Sequence, residues 1–597
     1  MPPGETDRAR LSPERRRVDR ARLADEVVDV LVIGGGVTGA GAALDAASRG
    51  LSVGLLEARD WAAGTSSRSS TLIHGGLRPL EQFAVPLVHE ALSERSRLIR
   101  TIAPHLVHPL PFLLPLTARI WQRAWFGAAL GLYDALGAAS IAGRGAGGRA
   151  TGGRGMPWHR HLSRKQALAA FPGLRGDVVR GGIQYWDAQV DDARHTLAVV
   201  RTAAGYGARA LSSARVTGLL RDGGGPDSAV VGARVADLTD GSSFAVRARS
   251  VVAATGVWSD DVGAMLGESA PTPTVRAAKG VHLVVPRSAI GGPVLEGAAG
   301  SPSGLVLRTP AGVLFVIPWD EHWIIGTTDT PWRRDRDHPA ASSADIAHLL
   351  DHVNRVLIRP LGTDDVLGVY AGLRPLPAGE FDHTSRLSRQ RAVVTPVPGL
   401  VLVAGGEYTT YRVLAEDAVD AAVAGLPGVP PSRTAHLPLV GAHRWDDVRD
   451  RAAELSAGSG VPGEAVVRLL RRHGDRIGDV LALARSDPAL ARPLPGAPGY
   501  LAAEVVHAVT AEGALHLDDV LARRTRVSIE TAHRGVESAP EVARLMASAL
   551  GWDGERTARE VQHYTARVAA EREAQRLPDD HTADAARLGA PEVRARV

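Results

Sequence analysis

The chain has 597 residues, enough for two to four domains, and its 45% hydrophobic, 22% charged and 4% aromatic content excludes a disordered or collagen-like polymer. It has no cysteine, which excludes disulfides, thiolate zinc sites, iron–sulfur clusters and a cysteine nucleophile; no metal centre is expected. The formal net charge of +4 is too small to point to nucleic acid, and no such partner is expected.

Residues 1–24 are polar and mixed in charge, with no apolar core of the kind a secretory signal needs, and are expected to form a flexible tail. Residues 27–33 (VVDVLVI) predict a buried parallel strand, 34–39 (GGGVTG) a tight turn, 40–48 a helix and 51–56 a second strand ending at Glu57, together one βαβ unit. In such a unit Gly34 permits the turn, Gly36 lets a pyrophosphate approach the backbone, and Gly39 lets the helix pack on the sheet. The helix N-terminus favours the negative charge, and Glu57 can accept from an adenosine ribose. The alternative is a tight βα turn without a ligand.

The fingerprint alone does not choose between NAD and FAD. Residues 64–70 (GTSSRSS) then supply a dense run of hydroxyls, read either as donors to phosphates or a flavin ring or as a serine-rich turn. Residues 106–141 are apolar with few charges; they predict either a buried subdomain core or a surface that docks on a membrane, and no uninterrupted apolar run is long enough to span one. Residues 142–155 (AGRGAGGRATGGRG) predict a flexible glycine/arginine loop. Further strands are predicted at 250–254, 281–285, 313–317 and 400–403. From 432 to 575 apolar residues recur at helical spacing, predicting an all-helical domain after an oxidoreductase region over 25–431; residues 576–597 read as a second flexible tail.

Several segments carry a family resemblance. Residues 64–78 read GTSSRSSTLIHGGLR; Tyr185-Trp186-Asp187 precedes 190–194 (VDDAR); 254–258 read ATGVW, 279–282 KGVH, 326–330 GTTDT, 372–376 GLRPL and 405–412 GGEYTTYR; 517–526 read LDDVLARRTR. In this order and number they resemble the FAD-dependent, respiratory glycerol-3-phosphate dehydrogenases over roughly residues 27–570. The resemblance implies an α/β fold: a Rossmann-like FAD-binding domain of the glutathione-reductase/D-amino-acid-oxidase type, interleaved with an α+β substrate domain and followed by an all-helical domain. It implies oxidation of sn-glycerol 3-phosphate to dihydroxyacetone phosphate in glycerol metabolism, with hydride passing to the flavin N5 and electrons then to a quinone. It also implies a cytoplasmic enzyme that can sit peripherally on the inner face of the cell membrane; a homo-oligomer stays open.

The resemblance further implies site residues. Gly34, Gly36, Gly39, Glu57, Thr65, Ser66, Ser67, Ser70, Gly256, Gly405, Gly406 and Thr409 would hold FAD. Arg78, Arg374 and Arg389 match anion-binding positions, fitting a dianionic phosphate that guanidinium forks can clasp. Proton removal from the alcohol calls for a group that titrates near neutrality, so His282 and His74 are candidate bases, with Arg374 beside them. Of 69 lysines and arginines only Lys165 and Lys279 are lysine, which brings Lys279 into the substrate-binding set. Three positions depart from the family pattern: Thr71 and Glu407 stand where lysine is usual, and Pro79 where tyrosine is usual. A carboxylate about 4 Å from a phosphate costs roughly 4 kcal/mol per unit charge at an effective dielectric near 20. Glu407 therefore raises the alternative of another polyol, hydroxy acid or amine as substrate; a flavin-binding module without catalysis is a third reading.

Overall fold

A computed structural model describes residues 8–75, 84–117, 120–142, 156–223, 225, 228–267, 273–291, 302–309, 312–377 and 391–594. The predicted strand Val27–Ile33 lies inside an eight-stranded sheet. It pairs in parallel with Val53–Leu56 on one side and Ser243–Ala253 on the other, and Leu400–Ala404 extends the parallel set. Strands of this kind are covered on both faces, and Val28, Val30, Leu31 and Val32 are completely buried. Helices Val37–Ser48, Asp192–Gly205 and Tyr411–Val423 pack together on one face. The first of them is built of small residues, so Ala40, Ala43 and Ala47 bring its backbone close to the strands.

The second sheet has ten strands and is almost entirely antiparallel. Within it Val275–Pro286 lies between His322–Gly326 and Gly368–Pro377. Its pleat sends alternate side chains to opposite faces. Val281, Leu283 and Val285 join the core under helix Ser343–Asn354, whereas Gly280 and His282 look toward the serine-rich loop. Residues 106–141 divide. Strand Val107–Leu116 is core, with Phe112 and Leu113 fully buried, while helix Ile120–Ala142 leaves Trp125 56% and Leu132 45% exposed. The glycine/arginine loop lies outside the described residues from 143 to 155.

Both predicted tails are corrected. Residues Pro13–Asp25 form a helix capped by Ser12, whose side chain accepts from Arg15 N, with proline in the first turn. Leu23 is fully buried, and Arg16 pairs with the buried Asp237 at 2.9 Å. At the other end Asp580–Leu588 is a helix capped by Asp579, and Arg594 reaches the buried Asp519 at 2.7 Å. Polarity misled the sequence reading because these charges meet partners on the body of the protein.

Beyond residue 445 most of the chain is helical, and helices such as Gly463–His473, Ala502–Glu512 and Ala539–Leu550 close over apolar clusters of their own. This part is fastened to the flavin-type sheet by buried ion pairs. Asp60 accepts from Arg523 at 2.5 Å and Arg524 at 2.7 Å. Glu512 accepts from Arg194 through both of its oxygens at 2.7 Å.

Burial also sets an acid limit. His105, His195 and His282 are at most 2% exposed, and desolvation pushes each imidazole down to about 3 from 6.5. Unfolding returns them to water, where they protonate below pH 6.5, so the unfolded chain binds more protons than the folded one. Stability complete above pH 6.5 is lost as pH falls toward 3, at about 1.4 kcal/mol per pH unit for each histidine and roughly 4 for the three. Urea midpoints measured at pH 7 and pH 5 should fall steeply; equal midpoints would contradict the burial of neutral imidazoles.

Candidate active site

The glycine turn is built as its spacing predicts. Gly34 has φ of +112°, and its N–H donates to Leu56 O at 2.8 Å. A Cβ there would stand 2.5 Å from Ala254 O. At Gly39 a Cβ would stand 1.9 Å from Gly34 O, so helix and turn touch backbone to backbone. Gly36 caps helix Val37–Ser48 without a side chain, and a Cβ there would stand 3.2 Å from Ser66 Oγ, so glycine keeps the backbone approachable at the helix N-terminus. The buried Thr255 hydroxyl, next to this turn, has no hydrogen-bond partner among the described residues. A cradle of this kind with an orphan hydroxyl fits the pyrophosphate of FAD.

Glu57 sits where the sequence reading puts it, at the end of the second strand. Its two oxygens accept from Gly35 N at 2.7 Å and Arg59 N at 2.8 Å, and burial raises its carboxyl above the ordinary value. It therefore braces the turn itself, and each oxygen keeps a second lone pair for a ribose hydroxyl.

The serine-rich loop is pinned by five separate segments. Ser66 Oγ accepts from Val37 N at 2.9 Å, joining the loop to the helix start. Thr65 donates to Leu373 O. Ser69 donates to Asp192 Oδ2 from both its N–H, at 2.9 Å, and its hydroxyl, at 2.6 Å; Asp192 Oδ1 in turn accepts from Arg526. Arg526 also donates to Ser67 O at 3.0 Å. Ser70 Oγ bonds His282 Nε2 at 2.9 Å, and His74 N–H donates to Thr409 Oγ1 at 3.1 Å. Gly405 and Gly406, with φ of +73° and +95°, turn the chain from strand Leu400–Ala404 toward Thr409, and Gly256, with φ of +57°, turns it after Ser243–Ala253.

His282 is stacked on Tyr370, with ring centroids 4.7 Å apart and planes within 9°. Burial, with the charge of Arg374 added, holds it at about 3, so it is neutral at any working pH. Arg374 pairs with Asp329 at 3.0 Å and donates to Thr327 Oγ1 and Thr328 O, both at 3.3 Å; it keeps 28% exposure. Gly280 makes room for it, since a Cβ there would stand 3.1 Å from Arg374 Nη2.

Lys279 does not belong to the substrate set. The pleat sends it to the opposite face from His282, where its completely buried ammonium pairs with Asp345 at 2.5 Å and with Asp580, and lies 5.2 Å from the Trp332 ring. It ties the second sheet to the final helix. Arg78, Pro79 and Arg389 lie outside the described residues. Arg526, Asp192, Tyr370 and Asp329 escaped the sequence reading as site supports. All but Tyr370 stand in the motifs above, but nothing in a motif says that Arg526 and Asp192, over 300 residues apart, meet.

Among the described residues one group, His473, His507 and Glu512, has ligand atoms within 4.8 Å of one another. Glu512 is already bound by Arg194 at 2.7 Å and Arg201 at 3.3 Å, so the group is an ion-pair network that would repel a cation.

Comparison with known proteins agrees with this geometry. The chain matches the family described as FAD dependent oxidoreductase over residues 29–412, and the C-terminal domain of alpha-glycerophosphate oxidase over 432–557. It is 51% identical over 590 residues to glycerol-3-phosphate dehydrogenase 2 of Mycobacterium tuberculosis, covering 99% of this chain and 96% of that protein. To the mitochondrial glycerol-3-phosphate dehydrogenase of Mus musculus it is 35% identical over 563 residues, covering 90% and 72%. The crystal structure of the glycerol-3-phosphate dehydrogenase from Bacillus halodurans complexed with FAD superposes with a TM-score of 0.74 at 28% identity, covering 94% of this chain and 98% of that one.

Proposed function

The chain belongs to the FAD-dependent glycerol-3-phosphate dehydrogenases, and from that premise we infer that it oxidises sn-glycerol 3-phosphate to dihydroxyacetone phosphate with FAD as its cofactor. The observation that carries this is 51% identity over nearly the full length to a glycerol-3-phosphate dehydrogenase, joined to a glycine turn and hydroxyl loop of the geometry FAD needs. FAD, when bound, supplies the acceptor for the hydride that leaves the substrate's carbinol carbon.

The residues divide the remaining work. Arg374, held by Asp329, the Thr327 hydroxyl and the Thr328 carbonyl, presents a guanidinium to the substrate phosphate, and the motif match supports the same role for Arg78 and Arg389. His282 has too little basicity at about 3 to take the alcohol proton; it fixes Ser70 and through it the loop. That favours His74, half-buried beside Thr409, as the base. Thr71, one departure from the family pattern, has φ of +55° and accepts from Val190 N at 2.9 Å, so it shapes the loop through its backbone. Glu407 stands immediately before the turn Tyr408–Thr410, and the substrate reading rests on the relatives rather than on this position.

Arg374→Ala should lower kcat/KM for glycerol 3-phosphate by about 100-fold or more, and Arg374→Lys by about tenfold, since lysine keeps the charge but loses the fork. Stopped-flow reduction of the flavin reads both, and wild-type behaviour of the alanine variant would remove Arg374 from the site.

We also propose that the electrons go on to a quinone and that the enzyme docks on the bilayer surface. No helix among the described residues is long and apolar enough to cross a membrane. The supporting feature is the packed pair of helices Val85–Arg97 and Ile120–Ala142, which exposes Leu87 at 49%, Trp125 at 56% and Leu132 at 45%. Co-sedimentation with vesicles that survives high salt is expected, and enzyme found only in the supernatant at both low and high salt would refute it.

A further inference from the structure

Behind the serine-rich loop, against strand Gly368–Pro377 and the helical domain, lies a cavity with about 840 Å³ of empty space, part of it open to solvent. Its charge is one-sided. Among the described residues six arginines line it, including Arg68, Arg523, Arg534, Arg567 and Arg587, and Glu571 is the one carboxylate. Glu571 is shared by three of them, Arg534 at 3.0 Å, Arg567 at 3.1 Å and Arg587 at 3.6 Å. Arg567 and Arg523 have further acids behind them, in Asp518, Asp519 and Asp60. Among the described residues Arg587 has one ion pair, its share of Glu571, with Glu592 acting at longer range, and the Arg68 guanidinium has neither an ion pair nor a hydrogen bond.

Arg68 is half-buried with no acid in ion-pair range among the described residues, and desolvation together with Arg59, Arg567 and Arg523 outweighs the attraction of Glu571 and pushes it well below its ordinary value. The same burial lowers Arg587 to about 10. The arrangement is completed by an anion that brings two negative charges and several acceptor oxygens, which guanidinium forks clasp best when they are tetrahedral.

We propose that this cavity is a second anion site, separate from the catalytic one, which takes a small phosphate-bearing molecule between Arg68 of the flavin loop and Arg567 and Arg587 of the C-terminal helices. Its occupant ties the helical domain to the loop that carries Ser67 and Ser70. The site does not depend on the activity, so a protein inert toward glycerol 3-phosphate would still bind at it.

Two measurements on the FAD-loaded full chain decide the matter. Crystals soaked in tungstate, a tetrahedral dianion located by its anomalous signal, should show a peak in contact with Arg68 and Arg587. No peak there overturns the proposal. In solution, pyrophosphate should raise the melting temperature beyond sodium chloride of equal ionic strength. Arg587→Gln should weaken that binding at least tenfold while KM for glycerol 3-phosphate stays within twofold, and Arg374→Ala should leave it intact. Equal binding by wild type and Arg587→Gln, or an effect matched by sodium chloride, overturns the proposal. A tungstate peak without the solution effect means an adventitious ion only and also counts against it. Should Arg587→Gln fail to fold, the soak and the wild-type titration still decide.

Discussion

Gly39→Ala is expected to yield a protein without yellow colour. The added methyl would be forced to 1.9 Å from Gly34 O and 3.0 Å from Gly34 C, a collision with backbone that no side-chain rotation relieves. Relief requires helix Val37–Ser48 to back away from the sheet, and with it goes the N-terminus aimed at the pyrophosphate. Gly34 cannot yield either, because at φ of +112° its own Cβ position is closed by Ala254 O at 2.5 Å. Overpacking of this sort costs about 1–3 kcal/mol or more before any loss of cofactor is counted. The flavin-to-protein absorbance ratio after purification reads the outcome. Gly425→Ala is the control, since nothing lies within 4 Å of a Cβ there. Full flavin in Gly39→Ala would mean that helix and turn do not touch as described.

The second large effect is expected at Asp60. Its side chain is completely buried and receives Arg523 Nε at 2.5 Å and Arg524 at 2.7 Å on each oxygen. Asn at this position keeps the shape and removes the charge. Two guanidinium groups then face each other in the interior; Arg523 retains Asp518 at 2.7 Å and Asp519 at 2.8 Å, while among the described residues Arg524 retains the carbonyl of Glu512 as its one hydrogen-bond partner. Breaking a buried pair by removing one partner costs about 3–5 kcal/mol. Asp60→Asn should therefore lower the unfolding midpoint by many degrees and open the seam between the flavin-type sheet and the helices, which proteolysis detects. A midpoint unchanged from wild type would show that the ion pairs do not fasten the two parts.

What the sequence discloses follows from whether a signal is local. The strand, turn and helix over residues 27–56 are legible because each position answers to its immediate neighbours, as at Gly34 and Gly39. The FAD-dependent oxidoreductase fold and the helical C-terminal region are likewise carried by motifs whose order along the chain is itself the signal. Lys279 is misread because rarity is no guide to direction: it stands three residues before His282 on one strand, and the pleat turns it to the opposite face. The terminal helices are misread because their stability comes from distant partners, as in Arg16 with Asp237 and Arg594 with Asp519. The same holds for Arg526, which reaches Asp192 and Ser67 from a segment more than 300 residues away and whose role no local pattern announces.

The central claim concerns a bound flavin that takes two electrons from glycerol 3-phosphate. Anaerobic titration of the purified protein tests it most directly. The account predicts a flavin spectrum near one equivalent per chain, bleached by glycerol 3-phosphate with dihydroxyacetone phosphate as the product. A protein that carries and rebinds no FAD, or whose flavin stays oxidised in excess glycerol 3-phosphate, would contradict it.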